Sequence, residues 1–208
     1  MRPEKQATPN AAWTEGNDME ALAYKQRPRP FSGEVVFGLT DDALIVDNGR
    51  RHETIPFTEM YALRLTFGYR NVGTQVFMAR IRRANGRTVA ITNLNWKGYV
   101  DYDSQDKAYT IFVTELMRKI ARANPNALFE RGRPALSWLA TAIVGITALV
   151  AFAGAAIWGL TRGNWLLSTM AVIFLFPFGR QVHGMLTRNK PGLFQANDPP
   201  RDLLPQSA

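Results

Sequence analysis

The sequence predicts an α+β fold: an antiparallel β sandwich or barrel capped by a C-terminal helix and followed by a transmembrane helical hairpin. Three observations support this prediction. Apolar residues alternate at period two between residues 31 and 94, a helical period follows from about residue 104 to 124, and two long apolar runs begin after Pro134. The 208-residue chain therefore divides into a polar first part and an apolar later part.

The strand prediction depends on alternation and on two turn signals. Val35, Phe37 and Leu39 alternate in the first strand, and the same pattern recurs at residues 44–46, 55–57, 61–67, 77–82 and 89–91. Asn-Gly between two alternating runs is a strong hairpin signal, and it occurs at residues 48–49 and 85–86. At least six antiparallel strands are therefore expected.

A helix is expected after these strands. Ser104 is the predicted N-cap, and Asp106 suits the positive end of the helix dipole. One apolar face carries Ile111 or Phe112 together with two further residues, Leu116 and Ile120. Asn124 and Pro125 end the helix. Such a helix must lay its apolar stripe on the sheet, where it would cap one open end of the β structure.

The strand order resembles the pleckstrin-homology-like (PH-like) domains of bacterial membrane proteins of uncharacterised function. The resemblance rests on FGLTDDALIVDNG at residues 37–49, TIPF at 54–57 and YALRL at 61–65, and it covers roughly residues 31–124. It implies two packed antiparallel sheets closed by a helix, often fused to membrane helices, but it implies no ligand. The fold usually has seven strands; residues 69–75 or 32–39 are expected to conceal the seventh.

The first apolar run, residues 136–160, contains 25 residues without a charge. At about 1.5 Å per residue it extends for roughly 37 Å, which exceeds the ~30 Å hydrocarbon core of a bilayer. Pro134 stands just before it, where a helix start tolerates proline. A transmembrane helix is predicted here.

The second apolar run is shorter. Residues 161–164 form a polar turn, and residues 165–179 then extend for only about 22 Å. This helix crosses a bilayer if Arg180 snorkels to the interface and the helix continues through Leu186. A re-entrant or tilted segment is the alternative, and Pro177 is expected to kink the helix.

Basic residues predict an orientation for the hairpin. Arg131 and Arg133 precede its first apolar run, and Arg180, Arg188 and Lys190 follow its second. The turn between the two runs contains Arg162 alone. By the positive-inside rule both termini are expected in the cytoplasm. Together with the resemblance, this predicts a multi-pass protein of the bacterial inner membrane.

An anionic partner is suggested by a stretch without acidic residues between Glu59 and Asp101. The candidate contacts are basic residues of this stretch: Arg64, Arg80, Arg82, Arg83, Arg87 and Lys97. For a membrane-tethered domain the nearest anionic partner is the lipid headgroup. A purely solvated basic face is the other interpretation, and nucleic acid has no recognition motif in its favour.

Small residues recur every four positions on the first apolar helix, at Ala151, Ala155 and Gly159. This spacing lets helices approach closely, so these residues are expected to pack within the hairpin or against a second protomer.

The sequence offers no candidate for catalytic chemistry. The absence of cysteine excludes disulfides, zinc–thiolate sites and cysteine nucleophiles. His52 and His183 belong to no metal-spaced cluster, and no phosphate-binding, dinucleotide-binding or serine-hydrolase motif occurs. No enzyme activity and no cofactor are therefore expected.

The predicted organisation has five segments. In chain order these are a disordered arm (1–30), the PH-like domain (31–125), a linker (126–135), the hairpin (136–187) and a proline-rich tail (188–208). The apolar residues 193–194 and 203–204 of the tail either dock on the domain or on a partner, or the tail stays free. The expected function is a cytoplasmic interaction domain that binds protein partners or anionic headgroups. The alternative is an accessory subunit of a membrane enzyme or transporter.

Overall fold

The computed structural model of the protein describes residues 22–70, 74–98 and 101–205. Its first sheet is a meander of four antiparallel strands that follow one another along the chain. These are Leu22–Gln26 (β1), Val35–Leu39 (β2), Ala43–Asp47 (β3) and His52–Pro56 (β4). The Asn48-Gly49 turn joins β3 to β4, as the alternation predicts, and Gly49 adopts a φ of 76° that favours glycine.

The second sheet is mixed. Three consecutive antiparallel strands, Met60–Tyr69 (β5), Gln75–Arg83 (β6) and Thr88–Thr92 (β7), form its larger part. Two short strands, Leu94–Trp96 (β8) and Tyr102–Ser104 (β9), pair in a separate ladder. A later strand, Leu128–Arg131 (β10), runs parallel to β5, and Gly192–Leu193 (β11) pairs antiparallel with β10.

The core lies between the sheets and a single helix, Asp106–Ala123 (α1). The buried positions of β5 and β6 are apolar, as the period-two pattern predicts, except for Arg83 at the end of β6. The sequence leaves open whether Ile111 or Phe112 belongs to the apolar face of α1. Phe112 is buried and Ile111 is 50 % exposed, so Phe112 belongs to that face. The helix begins at Asp106 with Gln105 as N-cap, because Ser104 is taken up by β9 and its hydroxyl hydrogen-bonds the Asp106 carboxylate.

Strand β1 connects the two sheets. The buried side-chain amide of Gln26 donates to the carbonyl of Ala90 at 3.1 Å and accepts from the N–H of Thr92 at 2.7 Å. Tyr24 donates its hydroxyl to the Thr92 carbonyl at 2.7 Å. These side chains take the place of a neighbouring strand along β7, so the free edge of β7 is covered where β1 meets it.

Three of the predicted segment boundaries need correction. The predicted disordered arm contains β1, which is held by β2 and by the contacts to β7; residues 1–21 of that arm lie outside the described residues. The predicted linker contains β10. The predicted tail contains β11 and docks on the domain, since Leu203 and Leu204 are buried in the core and Phe194 packs on Phe129.

Two long helices form the hairpin. Ala135–Thr161 (α2) and Trp165–Arg188 (α3) have 27 and 24 residues and reach a mean hydropathy of 2.2 and 1.3 over 18 residues. Both are long and apolar enough to cross a membrane. Helix α3 continues past Arg180 for two more turns, so the short apolar run of the sequence understates its length. Most of the outward side chains of both helices are apolar and exposed within the chain.

Candidate functional site

The β domain and the hairpin meet at a packed junction, whose centre is Asn189 at the end of α3. The Asn189 side chain is buried, with 1 % of the residue exposed. Its Oδ1 accepts the N–H of Phe67 at 2.9 Å, and its Nδ2 donates to the Phe67 carbonyl at 2.7 Å. The amide thus pairs with β5 as a neighbouring strand would, and it ties the end of the hairpin to the central strand of the second sheet.

The start of the hairpin reaches the same point through Gly132. The Gly132 N–H donates to the carbonyl of Leu65 at 2.8 Å, and the Arg133 N–H donates to the carbonyl of Asn189 at 3.1 Å. Gly132 has a φ of 71°, and a Cβ at this position would overlap the carbonyl oxygens of Asn189 and Lys190. Only glycine fits here, so the two ends of the hairpin close on each other beside β5.

Further contacts hold the helices against the domain. A Cβ on Gly184 would stand 2.6 Å from the Tyr69 hydroxyl, which shows how closely β5 and α3 approach. The Arg188 guanidinium lies 4.4 Å from the centroid of the Phe67 ring and donates to Gln75 Oε1 at 3.2 Å. Trp138 donates its indole N–H to the Leu186 carbonyl at 2.9 Å, which joins α2 to α3 at the same end. We call this end of the hairpin its base.

The base is positively charged. Five cations lie in the last part of α3 or within two residues of the ends of α2, α3 and β5 that meet at the base, and we call them the base cations: Arg70, Arg133, Arg180, Arg188 and Lys190. Residues 131–197 contain no acidic residue. Within the described part of the chain, no carboxylate oxygen lies within 4.0 Å of any base cation. The opposite end of the hairpin, at its turn, carries Arg162 alone.

The structure distributes the six predicted basic contacts over different places. Arg64 and Arg82 lie on the outer face of the second sheet and share one partner, the carboxylate of Glu130, at 2.6 and 2.7 Å. Arg64 also donates to the Gly132 carbonyl at 3.2 Å. Both guanidinium groups are therefore engaged within the protein.

Arg83 and Arg87 lie far from the base. Arg83, 7 % exposed, bonds Glu53 at 2.6 Å and Glu59 at 3.3 Å, and Arg87 is 4.0 Å from Glu53. The hydrogen bond from Arg83 lowers the pKa of the Glu53 carboxyl and raises that of the Arg83 guanidinium. Arg83 pairs with the first residue of β5 and Gln75 with its last. At about 3.3 Å per residue these two ends are roughly 30 Å apart.

The last two candidates also differ from each other. Lys97 pairs with Asp103, and this hydrogen bond raises the pKa of its ammonium group. Arg80 is exposed and has only the sulfur of Met78, at 3.7 Å, as a polar neighbour among the described residues. The carboxylates that pair with these cations lie outside the acid-free stretch of sequence, at residues 53, 59, 103 and 130. Sequence reasoning therefore overestimated the free positive charge there.

The three residues of the helix-packing prediction differ in their burial between α2 and α3. Gly159 is buried against α3, where a Cβ would overlap the hydroxyl of Ser168, but Ala155 is half-buried and Ala151 is exposed. The contact face of α2 runs along residues spaced alternately three and four apart: Ala142, Gly145, Leu149, Phe152, Ala156 and Gly159. Ser168 donates to the Ala156 carbonyl at 2.9 Å within this seam. The alternating three-four spacing is the sequence signal that identifies it.

The described residues contain no group of three or more potential metal ligands. The fold and the junction define an α+β protein whose antiparallel β domain is packed on the base of a helical hairpin long enough to cross a membrane. No protein-family model matches the chain, and neither a curated protein nor a solved structure is significantly similar to it.

Proposed function

We propose that this chain is a non-enzymatic integral protein of the bacterial inner membrane that holds a PH-like interaction domain against the cytoplasmic face and contacts anionic lipid headgroups through its base cations. The observation that carries the proposal is the pairing of Asn189 with β5. This pairing places the domain at the base of the hairpin, so that one rim of the domain lies where a bilayer surface would be.

The strand order supports the PH-like assignment. Four consecutive antiparallel strands, three further antiparallel strands and a C-terminal helix follow one another, which is the order that the resemblance implies. The protein departs from this order in two places. It has the additional β8–β9 ladder, and β10 and β11 are added at the free edge of β5. These additions connect the domain to the hairpin.

The distribution of charge supports the orientation. Four of the base cations belong to the hairpin or its immediate flanks, and the turn has one cation. Since basic residues near helix ends stay in the cytoplasm, the base and the β domain belong on that side. Trp158 and Trp165 flank the turn and are exposed, which suits the opposite interface.

Headgroup contact by the base cations follows from their distance to the surface. Screening at physiological ionic strength limits such attraction to about 8 Å. Arg83 and Arg87, roughly 30 Å away along β5, are too distant to contribute. In the proposed orientation the base cations lie at the surface itself, and within the described residues no carboxylate pairs with them, so we assign lipid contact to them instead of to the six predicted contacts.

The test uses the full chain in nanodiscs of phosphatidylcholine alone or with about one third phosphatidylglycerol. The anionic lipid should raise the thermal midpoint of unfolding, and salt should reduce the increase. Replacing Arg70 and Lys190 by Gln should lower the increase, whereas the matched replacement of exposed Arg50 and Arg87 should leave it unchanged. Equal midpoints in both lipids would refute lipid contact and would point to a protein partner.

A further inference from the structure

A groove opens between α2 and α3 near the base of the hairpin. It encloses about 420 Å³ and is lined mainly by apolar side chains, with three polar ones near the base. Ser137, Thr141 and Gln181 supply the polar side chains, and Val144, Phe178 and Val182 are among the apolar ones. The hydrogen bond between Trp138 and Leu186 fixes the two helices beside it, so the groove is already formed in the free chain.

The polar side chains of the groove all lie in the part nearer the base. Ser137 and Thr141 lie in the first two turns of α2, whereas Val144 lies about 14 Å from the helix start. On α3, Gln181 is closer to the helix end than Phe178, and the apolar Val182 and Met185 are closer still. A molecule in the groove would therefore meet a mixture of polar and apolar groups near the base and only apolar groups toward the middle of the hairpin, within about half of the ~30 Å hydrocarbon core.

A positive charge stands at the end of the groove nearer the base. Arg133 donates from Nη1 to the hydroxyl of Thr141 at 3.1 Å, and Thr141 in turn donates to the Ser137 carbonyl at 2.8 Å. Arg180 precedes Gln181 and is exposed. Since residues 131–197 contain no Asp or Glu, the hairpin itself brings no carboxylate to this end, and an anion there would meet the cationic Arg133.

We propose that this groove binds one anionic glycerophospholipid of the cytoplasmic leaflet, with its phosphate at the Arg133 guanidinium, which Thr141 orients, and one acyl chain along Val144 and Phe178. The inference rests on the proposed insertion of the hairpin into a membrane. A second copy of the hairpin is a poorer occupant, because its own residues 131–197 would bring cations and no counter-charge to Arg133.

The experiment is native mass spectrometry of the detergent-solubilised full chain with added dioleoyl phosphatidylglycerol or dioleoyl phosphatidylcholine. One phosphatidylglycerol should be retained per chain, with about tenfold preference over phosphatidylcholine, because both lipids offer the same phosphate but only phosphatidylcholine brings a second cation close to Arg133 and Arg180. Free glycerol phosphate at the same concentration should not displace it, because it lacks the acyl chain.

Two variants test the two ends of the groove. Arg133→Gln should remove the preference for phosphatidylglycerol, and Ala140→Trp, at an exposed residue of the groove wall, should prevent retention of either lipid. Their matched controls, Arg162→Gln at the turn and Ala151→Trp outside the groove, should behave as the parent chain. Circular dichroism verifies that each variant is folded.

Several outcomes would overturn the assignment. The first is equal retention of both lipids by the parent chain, and the second is unchanged retention in Arg133→Gln and Ala140→Trp. The third is a dimer that only Ala140→Trp dissociates, which would show that a second copy of the chain occupies the groove. The Arg70 and Lys190 replacements should leave this bound lipid in place. Failure here is therefore separate from failure of the proposed headgroup contact.

Discussion

Asn189 satisfies both backbone groups of Phe67 with one side chain, and the partners are 122 residues apart in sequence. Each buried backbone group that loses its partner costs about 1–3 kcal/mol. We therefore expect Asn189→Ala to lower the free energy of unfolding by about 2–4 kcal/mol. Asn189→Asp should be worse, because a carboxylate cannot donate to the Phe67 carbonyl and its oxygen would face that carbonyl oxygen in a buried position.

The measurement is chemical unfolding of the full chain in detergent. Asn126→Ala is the matched control, since Asn126 is exposed and its replacement should change the stability by less than about 0.5 kcal/mol. Equal stability of Asn189→Ala and the control would show that the junction does not hold the domain.

No sequence pattern could have marked Asn189, because its function depends on a strand far away along the chain.

Glu53 and Arg83 link the first sheet to the second at the end far from the hairpin. The hydrogen bond from Arg83 lowers the pKa of Glu53 below its ordinary value of 4.5. A carboxyl whose pKa is lower in the folded state contributes stability that is fully present above pH 4.5 and is lost as the pH falls through the folded-state pKa.

We expect the urea midpoint of the parent chain to fall between pH 6 and pH 3, and that of Glu53→Gln to fall less. Circular dichroism follows the unfolding, and Glu34→Gln, at an exposed residue, is the control. Parallel pH profiles for Glu53→Gln and the parent would contradict the assigned ion pair.

At the scale of elements, the long alternating strands and the helices were predictable because their periodicity extends over many residues. β5, β6 and α1 follow their patterns, with a bulge between Met60 and Ala62 as the local exception. β10 and β11 have only four and two residues, too few for any period to show. Their positions depend on the free edge of β5, which is a property of the folded sheet.

The C-terminal segment is such an element, and Leu203 is its anchor in the core. Arg131 adds an ion pair with Asp202 at 2.7 Å. Since Leu203 is fully buried, Leu203→Ala should cost about 2–5 kcal/mol of unfolding free energy. Leu193→Ala is the matched control, because Leu193 is 69 % exposed and its side chain packs little. Thermal unfolding of the two variants compares them directly, and equal midpoints would mean that the tail is not part of the core.

At the scale of the whole molecule, net charge was a poor guide to a binding surface. The formal charge of +8 is correct for the sequence, but folding pairs much of the acid-free stretch with distant carboxylates. Among the described residues, the cations without a carboxylate within 4.0 Å include the base cations, but also Arg80 on β6 and Arg50 in the turn before β4. Sequence could predict the hairpin and the charge asymmetry of its ends, since both are local; it could not predict which cations the fold would neutralise.

The central claim is that the hairpin crosses the membrane twice and leaves the β domain in the cytoplasm. Because the chain has no cysteine, single cysteines can be introduced as Thr161→Cys at the hairpin turn and Asn85→Cys at the far end of the domain. A membrane-impermeant maleimide applied to bacterial spheroplasts should label the first variant in intact cells and the second only after lysis. Labelling of Asn85→Cys in intact cells, or protection of Thr161→Cys until lysis, would contradict the account.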